Sequence, residues 1–143
     1  MTYRPYTAII QPSLDYERTN TTGVTIGKGT PIRMNENGDP DFVDVSVETQ
    51  IISIAGVSQD DIPNGEKGVF VTSGRVKELS VSFDFGDPIF ISKTGGLTNV
   101  KPSVGVDSFV EGDFVVMLGV IAKNEDNSSF KDLILHIDIM GQL

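Results

Sequence analysis

The chain has 143 residues, 38% of them hydrophobic, and a formal net charge of −9 at pH 7. This length predicts one domain with a sizeable core, and the charge argues against binding along a nucleic-acid backbone, which needs clustered Lys and Arg. The lack of cysteine excludes disulfides, thiolate metal sites and cysteine nucleophiles. The sequence shows neither a signal-peptide pattern nor an apolar run near the ~20 residues of a membrane span. We therefore expect a soluble protein without a classical export signal.

Residues 1–22 differ from the rest and predict an extended amino-terminal arm. Pro5 and Pro12 bracket a short apolar run, and polar residues dominate from Gln11 onward. Two interpretations stay open, a disordered tail and an arm that orders against a neighbouring subunit by strand addition. In the second interpretation the binding residues are Tyr3, Tyr6, Ala8, Ile9 and Ile10.

Residues 23–143 predict an all-β fold, a small β-barrel or sandwich, because short apolar segments alternate with Gly, Pro and Asx turns. Strands are expected, in chain order, at 29–34, at 43–47 from alternating valines, at 51–57 as a segment buried on both faces, at 68–71, at 79–85 as the clearest half-buried strand, at 86–92, at 114–121 and at 133–139. Residues 35–40, with Asn37-Gly38, form a hairpin turn, Gly95-Gly96 forms another, and a polar loop follows.

Two related halves are one explanation of the sequence pattern. Gly29-Thr30-Pro31-Ile32 resembles Gly86-Asp87-Pro88-Ile89 at a separation of 57 positions, and Ile54-Ala55-Gly56-Val57 resembles Met117-Leu118-Gly119-Val120 at 63. The register therefore slips by six residues. A structural duplication and a coincidence between β segments both remain open.

Residues that often carry chemistry have ordinary explanations in this sequence. His136 is the single histidine and has no recognisable activating context, and one histidine without cysteine argues against zinc.

Gly27-Lys28-Gly29-Thr30 lacks the phosphate-loop spacing, and Pro31 stops a helix from starting there. Asn35 to Asp41 alternate oxygens as calcium loops do, but a hairpin turn explains them. Glu111 and Asp113 flank a turn glycine and could act as a pair of glycosidase-like acids, although turns are rich in Asp and Glu in any case. Without tryptophan, a sugar-stacking platform would rest on Tyr3, Tyr6 and Tyr16. No cofactor is predicted.

Three segments resemble the small β-rich decoration, or cement, proteins of tailed-phage capsids. They are Gly86-Asp87-Pro88-Ile89-Phe90, then Gly95-Gly96-Leu97-Thr98, then Leu118-Gly119-Val120. Such proteins carry a Gly-Asp-Pro-Val-Tyr-like stretch, a Gly-Leu-Thr-like turn and a Gly-Val-containing strand in this order. The likeness covers roughly residues 23–140 and implies a β-tulip-like barrel or sandwich.

The resemblance implies a non-enzymatic protein, made in the host cytoplasm, that sits on the capsid surface of the virion. It also implies a homotrimer that bridges major capsid subunits and stabilises the expanded shell, with no nucleic-acid or membrane partner. We expect residues 1–22 to hold the capsid and the β domain to form the oligomer. A phage tail or baseplate β module, a carbohydrate-binding β domain, and a hydrolase using Glu111 and Asp113 remain alternatives.

Overall fold

A computed structural model describes residues 14–143. Within this range the chain forms nine strands and one short helix. In chain order they are β1 (Leu14–Thr19), β2 (Pro31–Met34), β3 (Pro40–Phe42), α1 (Glu48–Ile51), β4 (Ile54–Ser58), β5 (Lys67–Leu79), β6 (Pro88–Ile91), β7 (Leu97–Thr98), β8 (Phe114–Lys123) and β9 (Lys131–Gln142).

All strand pairs are antiparallel, and the all-β prediction is confirmed. The sheet has the order β3-β2-β4-β5-β9-β8-β6-β7, with β1 added on β5. Among the described strands the sheet does not close into a barrel, because β3 and β7 at its two ends are not paired with each other. The long strand β5 joins the two parts of the sheet: its first half pairs with β1 and β4, and its second half pairs with β9.

The two halves of the sheet share one pattern of connections. β2 pairs with β3 and β4, and β4 pairs with β5. In the second half β6 pairs with β7 and β8, and β8 pairs with β9. The β2–β4 and β6–β8 pairs each contain a register shift, directly after Ile32 and directly after Ile89.

The turns repeat as closely as the strands. The amides of Gly29 and Gly86 donate to carbonyls of β4 (Ser58) and β8 (Ile121) respectively. The β2–β3 turn closes through Asn35 N–H to Asp39 O at 2.8 Å, and the β6–β7 turn closes through Ser92 N–H to Gly96 O at 2.9 Å. Both turns lie 57 positions apart, so the six additional residues lie later, in the β7–β8 connection. The two halves therefore have the same local architecture.

Gly56 and Gly119 mark equivalent close approaches of two strands. Their φ angles are +153° and +154°, a conformation that L side chains rarely adopt. A Cβ atom on Gly56 would lie 2.3 Å from the Val71 carbonyl oxygen, and one on Gly119 would lie 1.8 Å from the Ile134 carbonyl oxygen. Each glycine therefore allows its strand to pack directly against the backbone of the next strand.

Four predicted strands are wrong in extent. The predicted strand 68–71 is only the first part of β5, which continues to Leu79. Residues 43–47 pair with no described strand: Val43 and Val45 are buried, but the Asp44 carboxylate accepts the Ser46 N–H at 2.9 Å and the chain turns into α1. The predicted strand 51–57 begins only at Ile54. The segment 79–85 is not a strand after Leu79, and three buried or half-buried side chains there pack on the core without a ladder, namely Leu79, Val81 and Phe83.

Residues 14–22, the second part of the predicted arm, are joined to the sheet. β1 pairs with β5 from Leu14 opposite Ser73 to Thr19 opposite Lys67. Asn20 is fully buried, and its amide nitrogen donates to the carbonyls of Val24 and Ile62 at 2.7 Å each. Because these bonds satisfy carbonyls inside the domain, only residues 1–13, which lie outside the described range, remain as the candidate arm.

The core consists of two apolar clusters. The larger one runs through both halves and includes Ile89, Ile91, Leu118 and Leu133. The smaller cluster lies under β1 and contains Ile26, Ile32, Ile62 and Phe70, with Tyr16 and Phe42 packed against it.

Candidate interaction surface

The residues that suggested chemistry are not gathered into a site. His136 is exposed on β9, whereas Glu111 is exposed and Asp113 is buried beside Lys93. The Lys93 ammonium lies 2.6 Å from an Asp113 carboxylate oxygen, so this carboxylate is part of a structural ion pair. Within residues 14–143 no group of three or more His, Asp or Glu side chains is placed to hold a metal ion.

The two loops that faintly suggested ligand binding are turns in the structure. The Asn35 side-chain oxygen accepts the N–H groups of Asn37 and Asp39 at 3.0 and 3.1 Å, so its acceptor capacity serves the hairpin. In the other loop, the Thr30 hydroxyl donates to the Gly27 carbonyl at 2.6 Å, and the Lys28 N–H donates to Asp61. Strand β2 follows this loop, which agrees with the rejection of a phosphate loop.

An aromatic platform for sugar is not formed by the described tyrosine. Tyr16 stacks on Phe70 with ring centroids 5.5 Å apart. Burial raises its pKa to about 12, partly opposed by the Arg18 charge. An open depression of about 620 Å³ beside β5 is lined by Asp15, Gln59, Val69, Val71, Arg75, Lys77 and Glu78, none of which is aromatic. Tyr3 and Tyr6 lie outside the described residues.

The connection between β7 and β8 exposes an unusual amount of apolar surface. Four of its valines are exposed to 37–60% of their full area: Val100, Val104, Val106 and Val110. We call these four side chains the valine surface. The start of this connection and the end of β9 also form an open groove of about 220 Å³. It is lined by Lys101, Pro102, Val115, Met140, Gly141, Gln142 and Leu143. Exposed apolar groups that cluster on one segment are typical of an interaction site.

The loop is fixed from both sides although it has no regular secondary structure. Phe109, between the exposed valines, is 2% exposed and belongs to the larger core cluster. The Gly105 N–H donates to the Phe109 carbonyl at 2.9 Å. The Phe114 N–H, just after the loop, donates to the Val45 carbonyl at 2.9 Å and ties the loop to the other half of the sheet. The valines are thus presented by an anchored backbone.

Asp113 fastens the carboxyl end of this loop. Its buried carboxylate accepts the Val110 N–H at 2.9 Å as well as the Lys93 ammonium. Burial alone would raise the pKa of Asp113, but the hydrogen bonds from Lys93 and Val110 and the charge of Lys93 outweigh burial and hold the pKa below its ordinary value. The carboxylate therefore stays charged, and the loop stays fastened, at neutral pH.

Backbone strain occurs in the middle of the same loop. Asp107 and Ser108 adopt φ angles of +49° and +69°, in the left-handed region. Such a conformation costs about 1–2 kcal/mol for a residue with a side chain. Strained residues persist where the surrounding structure fixes them, and they cluster at functional segments. Two of the three non-glycine residues with positive φ among residues 14–143 therefore lie in the connection that carries the valine surface.

A second exposed feature is the far half of β9. From Lys131 to Leu135 this strand pairs with β5 on one side and β8 on the other, but from His136 onward β8 is its only partner among the described strands. Every residue from Asp138 to Gln142 is exposed. We call the unpaired side of residues 136–142 the β9 edge. An unpaired strand edge can accept another strand through its backbone.

Neither surface was expected from the sequence. The residues between β7 and β8 were predicted to form a polar loop, and the predicted binding residues Tyr3, Tyr6, Ala8, Ile9 and Ile10 lie outside the described residues. The signal that was present is the repetition of valine among Gly, Pro and Ser in residues 100–110. Regular spacing does not distinguish exposed valines from buried ones.

Comparison with known proteins yields no relative: the chain matches no protein-family model and no curated protein.

Proposed function

We propose that this chain is a non-enzymatic virion protein that binds the outside of a phage capsid and stabilises the expanded shell by bridging major capsid subunits. The observation that carries the proposal is the valine surface, four exposed valines on one anchored loop. The resemblance of residues 86–90, 95–98 and 118–120 to capsid decoration proteins supplies the identity of the partner. The acidity of the chain is consistent with a partner other than packaged DNA.

The valine surface suits weak binding that is repeated many times. Complete burial of a valine side chain contributes about 1.5 kcal/mol, and these side chains are already about half buried. Four of them contribute about 3 kcal/mol per copy, which association costs alone can cancel. An anchored loop keeps the ordering cost low, and several copies acting together raise the occupancy by avidity.

Selective binding to the expanded shell would stabilise it by mass action. A molecule that binds one lattice state and not another shifts the equilibrium toward the state it binds. Such a protein needs a rigid surface and no reacting groups. Among the described residues, the valine surface on its anchored loop is this rigid surface.

The test compares capsid occupancy of three purified proteins by co-sedimentation with expanded capsids. The double variant Val104→Asp/Val110→Asp introduces charge into the valine surface. The control variant Val24→Asp introduces charge at a valine that is equally exposed, at 56%, but lies in another loop. We expect occupancy to fall at least about tenfold for the double variant, since a buried carboxylate without a partner is costly, and to be unchanged for the control. Equal occupancy of all three proteins would contradict the proposal.

A further inference from the structure

We infer that the β9 edge accepts residues 6–11 of a second copy of this chain as an added strand. The inference concerns self-association and does not depend on the capsid being the partner of the valine surface. The acceptor of the candidate arm is then a neighbouring copy of the protein and not the capsid shell.

The lengths of the two segments agree. Pro5 and Pro12 lack a backbone N–H and so limit an added strand to the six residues Tyr6 to Gln11. Six residues of strand span about 20 Å, and the seven residues of the β9 edge span about 23 Å. Tyr6, Thr7, Ile9 and Ile10 are aromatic or β-branched and favour extended structure.

The charges of the two segments are complementary. Residues 1–13 contain Arg4 and no Asp or Glu, so they contribute +1 to the net charge of −9 and the described residues contribute −10. The β9 edge carries the exposed side chain of Asp138. A positively charged segment therefore meets no like-charge repulsion at this edge, which an acidic partner strand would meet.

Strand direction favours a second copy over the same chain. β1 and β9 both run antiparallel to β5, with Leu14 opposite Ser73 and Leu135 opposite Gly74. β1 and β9 therefore run parallel, and Leu14 lies nearly level with Leu135 along β5. A segment that continued β1 toward residue 1 would run in the direction of Lys131, away from the β9 edge, so an arm of the same chain could reach this edge only by reversing within residues 11–13. An arm from another copy needs no reversal.

The absence of native cysteine allows a direct test with single-cysteine chains, because a disulfide between two such chains can form only in trans. Ile9→Cys protein is mixed with Ile139→Cys or with Met140→Cys protein, two neighbouring acceptors that cover both side-chain directions of the edge. The control acceptor is Val24→Cys. Opposed strand residues lie close enough for a disulfide. After oxidation, we expect at least about tenfold more heterodimer with one edge acceptor than with Val24→Cys, because bound strands raise the effective thiol concentration.

Equal heterodimer yields at the edge and at the control would overturn the inference. So would a chain carrying both Ile9→Cys and Met140→Cys that closes only within itself. A second measurement is the solution mass of Ile9→Pro, which removes an N–H in the middle of the added strand, compared with Thr2→Pro, which lies outside it. We expect only Ile9→Pro to lose self-association, and an unchanged mass for Ile9→Pro would contradict the inference. None of these results depends on capsid binding, so the two proposals can fail separately.

Discussion

Replacement of Gly119 by alanine tests the packing of the repeated β unit most sharply. The new Cβ would lie 1.8 Å from the Ile134 carbonyl oxygen and 2.9 Å from its carbon, so backbone of β9 must move. The positive φ of Gly119 adds strain of about 1–3 kcal/mol for a residue with a side chain, and overpacking adds about 1–3 kcal/mol. The expected loss in the free energy of unfolding is therefore about 2–6 kcal/mol.

Gly141→Ala is the matched control. Gly141 has a φ of +139° and also lies in a strand of this sheet, but a Cβ there meets no atom within 4 Å. Its substitution adds the conformational strain without the clash and is expected to cost about 1–3 kcal/mol. Gly56→Ala, with its Cβ 2.3 Å from the Val71 oxygen, should behave as Gly119→Ala does.

Far-UV circular dichroism during urea and thermal unfolding measures these losses in a chain without tryptophan. For a domain of this size 1 kcal/mol corresponds to about 3–5 °C in Tm, so Gly119→Ala should lower the Tm by at least about 3 °C more than Gly141→Ala. Equal effects of the two substitutions would refute the argument that strand contact, and not φ alone, requires glycine at position 119.

Three further outcomes follow from the described contacts. The folded-state pKa of Asp113 is lowered, so its ion pair stabilises the fold fully above about pH 4, and this stabilisation is lost as the pH falls through the folded-state pKa. The Tm of the wild type should therefore drop more steeply in acid than the Tm of Asp113→Asn. Parallel curves of Tm against pH would contradict this. Asn20→Ala removes the two hydrogen bonds that the buried Asn20 side chain donates and the two that it accepts from Thr22, and it should cost about 2–4 kcal/mol in urea unfolding. Asn64→Ala, which loses one exposed bond, should cost under about 1 kcal/mol. Similar losses would argue against a structural role for Asn20. Deletion of residues 1–22 removes β1 and should lower the Tm by several degrees, whereas deletion of residues 1–13 should change the Tm by no more than about 2 °C. An unchanged Tm after deletion of residues 1–22 would show that β1 does not belong to the domain.

The all-β architecture was predictable from the sequence because turn residues punctuate it. Asn37-Gly38 and Gly95-Gly96 each mark a turn that the structure contains, and the paired Gly-Xaa-Pro-Ile motifs begin β2 and β6. These signals are local, since a turn or a strand start depends on the φ angles of a few residues. The similarity of the two halves was visible for the same reason.

Strand extent was less predictable because alternation reports burial and not hydrogen bonding. The buried side chains of Val43 and Val45 alternate with the exposed side chain of Asp44. This alternation has the period of two that is typical of a strand, although the segment pairs with no described strand. The same holds for Leu79, Val81 and Phe83, where Glu78 already adopts a φ of +61° and a register shift ends the regular pairing with β9.

Neither interaction surface could be predicted from residue pattern. The exposure of Val104 and Val110 depends on Phe109 turning into the core between them, a tertiary choice among similar apolar residues. The β9 edge depends on where β5 stops pairing with β9, at Gly74, and β5 pairs with β1 from Ser73 back to Lys67.

The most direct test of the proposed function is the binding of the wild-type protein to expanded and to unexpanded capsids at equal concentrations of major capsid protein. Quantitative co-sedimentation gives the number of copies per particle in each state. We expect saturable binding to the expanded shell, an increase in the temperature at which that shell disrupts, and at least about tenfold weaker binding to the unexpanded shell. Absence of saturable binding to the expanded shell would contradict the account.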